Sequence, residues 1–136
     1  MLISSRGRYA LRALADLAEN GQDKLVSISD ISARQGISKK YLEQILPVLT
    51  KNRLIEGFQG KGGGYRLTKD VKDYSVGEIL RLVEGSTAAV SCVENGGELC
   101  EKADKCKTHD MWVKLNALIS DYLDGVSLAD IISGNV

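Results

Sequence analysis

The stretch that most restricts the fold is "SISDISARQGISKKYLEQILPVLTK", residues 27–51. It reads as two capped helices pivoting on one glycine. Ser27 with Asp30 three residues later forms a capping box, opening a short helix that ends near Gln35. Gly36 stands where a left-handed turn residue is wanted. Ser38 can cap a second helix running to about Lys51, with Leu42, Ile45, Leu46 and Leu49 spaced to face the core. Pro47 removes one internal hydrogen bond and predicts a bend, well past the N-terminal end of that helix. Short helix, glycine turn, helix is the pattern of a helix-turn-helix.

The second helix divides its residues by chemistry. Ser38, Lys39, Lys40, Tyr41, Glu43 and Gln44 crowd its exposed beginning, the part of a recognition helix that reaches base edges in a major groove. Lys39 and Lys40 suit phosphate or guanine, Gln44 suits adenine, and Glu43 can accept from a cytosine amino group. An ordinary solvated helix face explains the same residues if the helix stands alone. It does not stand alone. "LIEGFQGKGGGYRLTKD", residues 54–70, reads as two short strands joined by a glycine-rich turn, which makes a wing. Gln59 and Lys61 occupy its tip, and Arg53 precedes its first strand. The glycines lack the spacing and the Gly-Lys-Ser/Thr ending of a phosphate-binding loop.

Around this centre the chain reads as helical. Residues 5–20 place apolar side chains almost all round a helix that should be largely buried, and Gly21 stops it. Ser75 and Glu78 open a further helix within residues 74–85. Residues 86–109 show no sustained periodicity. From Asp110 the apolar positions Met111, Trp112, Leu115, Leu118, Ile119, Tyr122 and Leu123 form a wide stripe, ended by Gly125. Ser127 with Asp130 caps a last short helix. Such a stripe either closes the domain's own core or packs on its twin, and its breadth in so small a chain favours a homodimer. The expected fold is therefore mostly α with a small β-wing: a winged helix-turn-helix domain at residues 1–85, a loop at 86–109, and a long C-terminal dimerisation helix with a short final helix at 110–136.

Net charge is zero, yet the halves differ. Residues 1–72 hold 13 Lys+Arg against 7 Asp+Glu, and residues 73–136 hold 5 against 11. A basic half joined to an acidic half fits one end meeting a polyanion, although a swing of this size also arises by chance. No apolar run approaches the roughly 18 residues that span a bilayer, and no secretory leader is visible, so the expected setting is cytoplasmic with no membrane partner. One histidine, no serine–histidine–acid arrangement and no cofactor fingerprint argue against substrate chemistry.

All three cysteines and the only histidine lie in "CVENGGELCEKADKCKTH", residues 92–109. The spacing is Cys92-x7-Cys100-x5-Cys106-x2-His109. Thiolates hold iron–sulfur clusters and zinc, and a histidine can replace a thiolate on one iron. The segment is too charged for core cysteines. Structural zinc favours closer cysteine pairs, and a thiol switch through a transient disulfide leaves one cysteine and the histidine unexplained. Spacing alone leaves iron–sulfur and zinc close to even.

The combination "SSRGRYALRAL", "ISDISARQGISKKYLEQIL", "GKGGGY" and the three-cysteine loop ending "CKTH" resembles the IscR-like family of bacterial winged-helix regulators of iron–sulfur cluster assembly. The resemblance runs from about residue 2 to residue 134. It implies a homodimer bound to double-stranded promoter DNA, with Cys92, Cys100, Cys106 and His109 as ligands of a [2Fe-2S] cluster that modulates promoter choice. It also implies that Glu43 discriminates between classes of site and that Tyr41 and Gln44 contact DNA. The first inter-cysteine gap is longer than in the best-known members, and Gln59 stands where arginine is common. Relatives that sense nitric oxide or low iron carry [4Fe-4S] clusters, some with an acidic ligand near the N-terminus. The matching region here, "SSRGRY", offers arginines instead.

Overall fold

A computed structural model describes residues 3–94, 101, 102 and 104–136. The elements in order are α1 (Ser5–Asn20), α2 (Ile28–Gln35), α3 (Lys39–Lys51), β1 (Ile55–Phe58), β2 (Gly64–Leu67), α4 (Val76–Glu84), α5 (His109–Gly125) and α6 (Leu128–Ser133). Single turns of 3-10 helix lie at Val71–Asp73 and Ser91–Val93. The expected architecture is present: a mostly helical domain with, among the described residues, one sheet, a two-stranded antiparallel wing.

The helices start where short polar side chains can satisfy their first amides. Ser4, Ser27, Ser38, Ser75 and Ser127 each accept a hydrogen bond from the backbone N–H three residues on. At Ser127 the box is complete, because Asp130 also accepts from the Ser127 amide at 2.9 Å. Ser4 is capped in turn from a distant element. Its amide and hydroxyl both donate to one Glu84 oxygen, at 2.9 and 2.6 Å. Gly36 adopts φ 66°, ψ 29° and ends α2, a left-handed geometry that costs an L-residue about 1 kcal/mol or more.

The core forms where α1 meets α2, α3, α4 and α6. Leu42, Ile45, Leu46 and Leu49 are fully buried, as the helical spacing predicts, with Leu14, Ile31 and Leu128 beside them. Each such side chain contributes roughly 1.5–3 kcal/mol relative to exposure. α1 is less purely apolar inside than its sequence suggests. Asp16 is buried to 1% exposure and held by Arg34 of α2. A carboxylate is tolerated there because its oxygens are paired.

The wing pairs Ile55 with Leu67, Glu56 with Arg66, Gly57 with Tyr65 and Phe58 with Gly64. Its base is clamped by Tyr74, whose buried hydroxyl donates to the Leu54 carbonyl at 2.6 Å and accepts from the Thr68 amide at 3.0 Å. A third segment joins it, unforeseen from the sequence. Val26 and Tyr65 exchange two backbone hydrogen bonds, of 3.0 and 2.8 Å, just before α2 begins. Gly64 makes this approach possible, since a Cβ there would lie 2.6 Å from the Val26 carbonyl oxygen.

Candidate nucleic-acid interface and ligand loop

α3 presents its first turn to solvent. Ser38, Lys39, Lys40, Glu43 and Gln44 are exposed, while the apolar face of the same helix is sealed in the core. The positive end of the α3 dipole lies under the two lysines and adds to the attraction for phosphate. Tyr41 is half-buried and only partly available. Its ring meets Tyr9 of α1 edge-on, with centroids 5.2 Å apart at 76°. Sequence reasoning counts Tyr9 among the apolar positions that surround α1 and gives Arg12 no role. In the structure Arg12 lies over the Tyr9 ring at 5.4 Å and also reaches the last residue of α2. Arg12 and Tyr9 stand one helical turn apart on α1, but Tyr41 and Gln35 lie too far along the chain for periodicity to reveal the group.

Gln59 and Lys61 are exposed at the wing tip, as expected. Arg53 is exposed at the turn between α3 and β1, where it adopts φ 59° and is the one non-glycine residue with positive φ among the described residues. Arg66, not singled out from sequence, pairs with Glu56 at 2.9 Å and lies 4.9 Å over the exposed Phe58 ring. The exposed cations Lys39, Lys40, Lys51, Arg53 and Lys61 belong to α3, the wing and the turn between them.

The ligand loop is only partly described. Cys100 lies outside the described residues. Cys92 falls in the 3-10 turn Ser91–Val93, which packs on α5. Cys106 is exposed two residues before the N-cap of α5, and His109 is the first residue of that helix. Among the described residues, no three His, Cys, Asp or Glu side chains gather as a metal site. Cys92, Cys106 and His109 are thus not brought together here.

Two details nevertheless fit a metal centre. His109 is buried, and its Nδ1 has no hydrogen-bond partner. A buried imidazole nitrogen without a partner is costly unless something ligates it. Hydrogen bonds from Thr108, first its side chain and then its backbone, favour the Cys106 thiolate and hold that thiol below its ordinary pKa, with smaller help from the His109 backbone and Lys102. The donor set of thiolates and one imidazole suits iron–sulfur or zinc.

On α5 the stripe expected from sequence is largely uncovered. Met111 is 52% exposed, Leu118 70% and Tyr122 58%. No helix among the described residues is long and apolar enough to cross a membrane.

A capped helix-turn-helix followed by a tethered wing with a cationic tip defines a winged-helix DNA reader. The profile of the Rrf2 family, described as iron-dependent transcriptional regulator, matches residues 3–134, and the chain belongs to that family. It is 42% identical over 133 residues to the HTH-type transcriptional regulator IscR of Yersinia enterocolitica, covering 98% of this chain and 80% of that one. Among solved structures, the IscR of T. potens matches with a TM-score of 0.77 and 33% identity, covering 100% of this chain and 89% of that one. CymR (YrzC), the global cysteine regulator of B. subtilis, matches with a TM-score of 0.82 and 28% identity over 98% and 97%. These relatives are regulators and not enzymes, as the absence of any catalytic arrangement in the sequence led us to expect. The chain is a DNA-binding transcription regulator.

Proposed function

We propose that the chain controls genes of iron–sulfur cluster assembly or iron homeostasis as a cytoplasmic homodimer, and that a [2Fe-2S] cluster adjusts which promoters it occupies. Cys92, Cys100, Cys106 and His109 would hold the cluster. The observation that carries this reading is the buried, unpartnered Nδ1 of His109 beside a cysteine biased toward thiolate. The likeness to proteins named IscR supports it. When bound, the cluster supplies a reversible, oxygen- and supply-sensitive signal. The chain's own part is to order residues 86–109 around the cluster, and so to bias the start of α5 and the helices packed on it.

At the DNA, two α3 helices enter successive major grooves about 34 Å apart. Ser38, Tyr41, Glu43 and Gln44 face base edges, Lys39, Lys40 and Arg53 take phosphates, and Gln59 with Lys61 lie along the adjacent minor groove. Residues 1–85 thus read DNA, residues 86–109 sense, and residues 110–136 pair the subunits through the uncovered stripe of α5. The experiment is an absorption spectrum of anaerobically purified protein with iron and sulfide counts, followed by promoter titrations before and after cluster removal. Visible bands and a changed promoter preference are expected; colourless, iron-free protein with the same preferences would overturn the cluster reading.

A second reading is a cluster-free regulator of the same fold that responds to thiol oxidation or holds zinc. The exposed, thiolate-biased Cys106 favours it, as does the likeness to the B. subtilis cysteine regulator. A [4Fe-4S] sensor of nitric oxide or iron is the third form, and the same spectrum and iron count separate all three.

A further inference from the structure

Arg12 joins α1 to both helices of the helix-turn-helix, directly to α2 and through Tyr9 to α3. Arg12 lies exposed on α1, yet its guanidinium makes two hydrogen bonds and one ring contact. Its Nε donates to the side-chain oxygen of Gln35 at 3.3 Å, and its Nη2 donates to the Gln35 main-chain carbonyl. Gln35 is the last residue of α2, so that carbonyl is one of the four left without a partner inside the helix. A cation at the negative end of the helix is favourable twice over, as donor and as charge. The opposite face of the interaction is Tyr9, 5.4 Å from the guanidinium carbon. Tyr9 in turn meets Tyr41, the third residue of α3.

One planar group therefore touches the helix before the turn and, through one ring, the first turn of the helix after it. The remaining freedom of the turn is removed by its neighbours. Gln35 Nε2 donates to Asp16 at 2.9 Å, and Ser32 Oγ donates to the Ile37 carbonyl at 2.6 Å.

We propose that Arg12 is a positioning residue for base discrimination: through Gln35 and the Tyr9–Tyr41 pair it fixes the angle at which the first turn of α3 meets a duplex. The inference rests on the reading of α3 as the recognition helix. Base-edge hydrogen bonds are bidentate and tolerate little misalignment, whereas lysine–phosphate contacts tolerate much. Losing Arg12 should therefore blunt discrimination while leaving the number of phosphate contacts unchanged. A lysine at this position keeps the charge but not the planar fork that can hold a carbonyl, an amide oxygen and a ring together.

The test uses the full chain and a duplex that the wild-type protein selects from a random library, together with the same duplex carrying one changed base pair in each half-site. Dissociation constants for both are measured across a salt series for wild type, Arg12→Ala, Arg12→Lys and Tyr9→Phe, with melting curves to confirm folding. Expected are a loss of about tenfold in the ratio of the two affinities for both Arg12 variants, within the range of one well-aligned base contact, and an unchanged salt slope. Tyr9→Phe keeps the ring and should keep the ratio. If Arg12→Ala does not fold, Arg12→Gln and Tyr9→Leu carry the same expectation.

A salt slope reduced by about one, restored by lysine, with the ratio intact, would mean that Arg12 grips a phosphate directly and would overturn the proposal. Unchanged ratios in every variant would do the same. Wild-type protein that selects no duplex defeats the reading of α3, and this proposal with it; a selected duplex with fully discriminating variants defeats this proposal alone.

Discussion

Arg34 meets Asp16 with two nitrogens, Nη2 at 2.8 Å from one carboxylate oxygen and Nε at 3.0 Å from the other. The carboxylate is buried and the guanidinium reaches it from the solvent edge, so the pair fastens α2 to α1 at the rim of the core. Gln35 adds a third donor to the same carboxylate at 2.9 Å. Asp16→Ala leaves Arg34 able to hydrate but abandons the Gln35 amide and opens a gap; we expect a loss of about 3 kcal/mol, near the lower bound for breaking a buried pair. Arg34→Ala strands a buried carboxylate with one donor and should cost more than Asp16→Ala. Urea unfolding of both variants checks the order, and an inverted order would refute the account of which partner is stranded.

Arg53 adopts φ 59°, a region that costs an L-residue about 1–2 kcal/mol, part of which glycine's greater freedom in the unfolded chain cancels. Arg53→Gly should therefore raise stability by about 0.5–1 kcal/mol while reducing the salt slope of DNA binding by about one. A destabilised variant contradicts the strain account, and an unaltered salt slope contradicts the assignment of this side chain to a phosphate.

Gly64→Ala would push a methyl group against the Val26 carbonyl, to which the bare glycine comes close. The bridge between Val26 and Tyr65 must open or the wing must shift, at a cost of about 1–3 kcal/mol. Melting curves should show that loss, and DNA affinity should fall with it, because Gln59 and Lys61 ride on the same hairpin.

Leu118 is 70% exposed on α5 in the single chain. If the stripe joins two subunits, Leu118→Glu should give a monomer by sedimentation while the circular dichroism of the helices persists, and affinity for a two-half-site duplex should collapse. A Leu118→Glu protein that remains a dimer places the interface elsewhere.

The Cys106 thiol sits below its ordinary pKa, chiefly because the Thr108 side chain hydrogen-bonds to it. The folded chain therefore favours the thiolate. This contribution to stability is fully present above the unfolded-state pKa and is lost as pH falls from there through the lower folded-state pKa. In metal-free protein, alkylation of Cys106 should rise at a lower pH than in the same protein unfolded in urea. Thr108→Ala should move the folded profile up toward the unfolded one, and coincident profiles in the wild type would refute the assignment.

Helix positions were legible because each is announced locally: a serine cap, an apolar face of 3.6 period, a glycine stop. Ser38 and the buried run Leu42, Ile45, Leu46 and Leu49 fall where spacing places them. Contacts between distant residues were not legible. Asp16 reads as one polar interruption in α1, and only the arrival of Arg34 from the next helix explains its burial. Val26 looks like linker until Gly64 brings β2 beside it. Tyr41 was placed correctly on the helix now seen as α3, but its partner ring lies 32 positions earlier, beyond the reach of any helical repeat. The thiol loop was legible as a set of donors and not as geometry: Cys100 lies outside the described residues, and Cys92, Cys106 and His109 are not brought together among them.

If α3 and the wing read DNA as proposed, the bridge at Val26 makes the hairpin and that helix parts of one ruler. Since the strand end is stitched to the residue that leads into α2, the tip cannot slide along a duplex independently of α3. An operator must then offer its two features at the separation set by the protein, and inserting a single base pair between them sacrifices one contact or the other, however favourable each sequence is by itself.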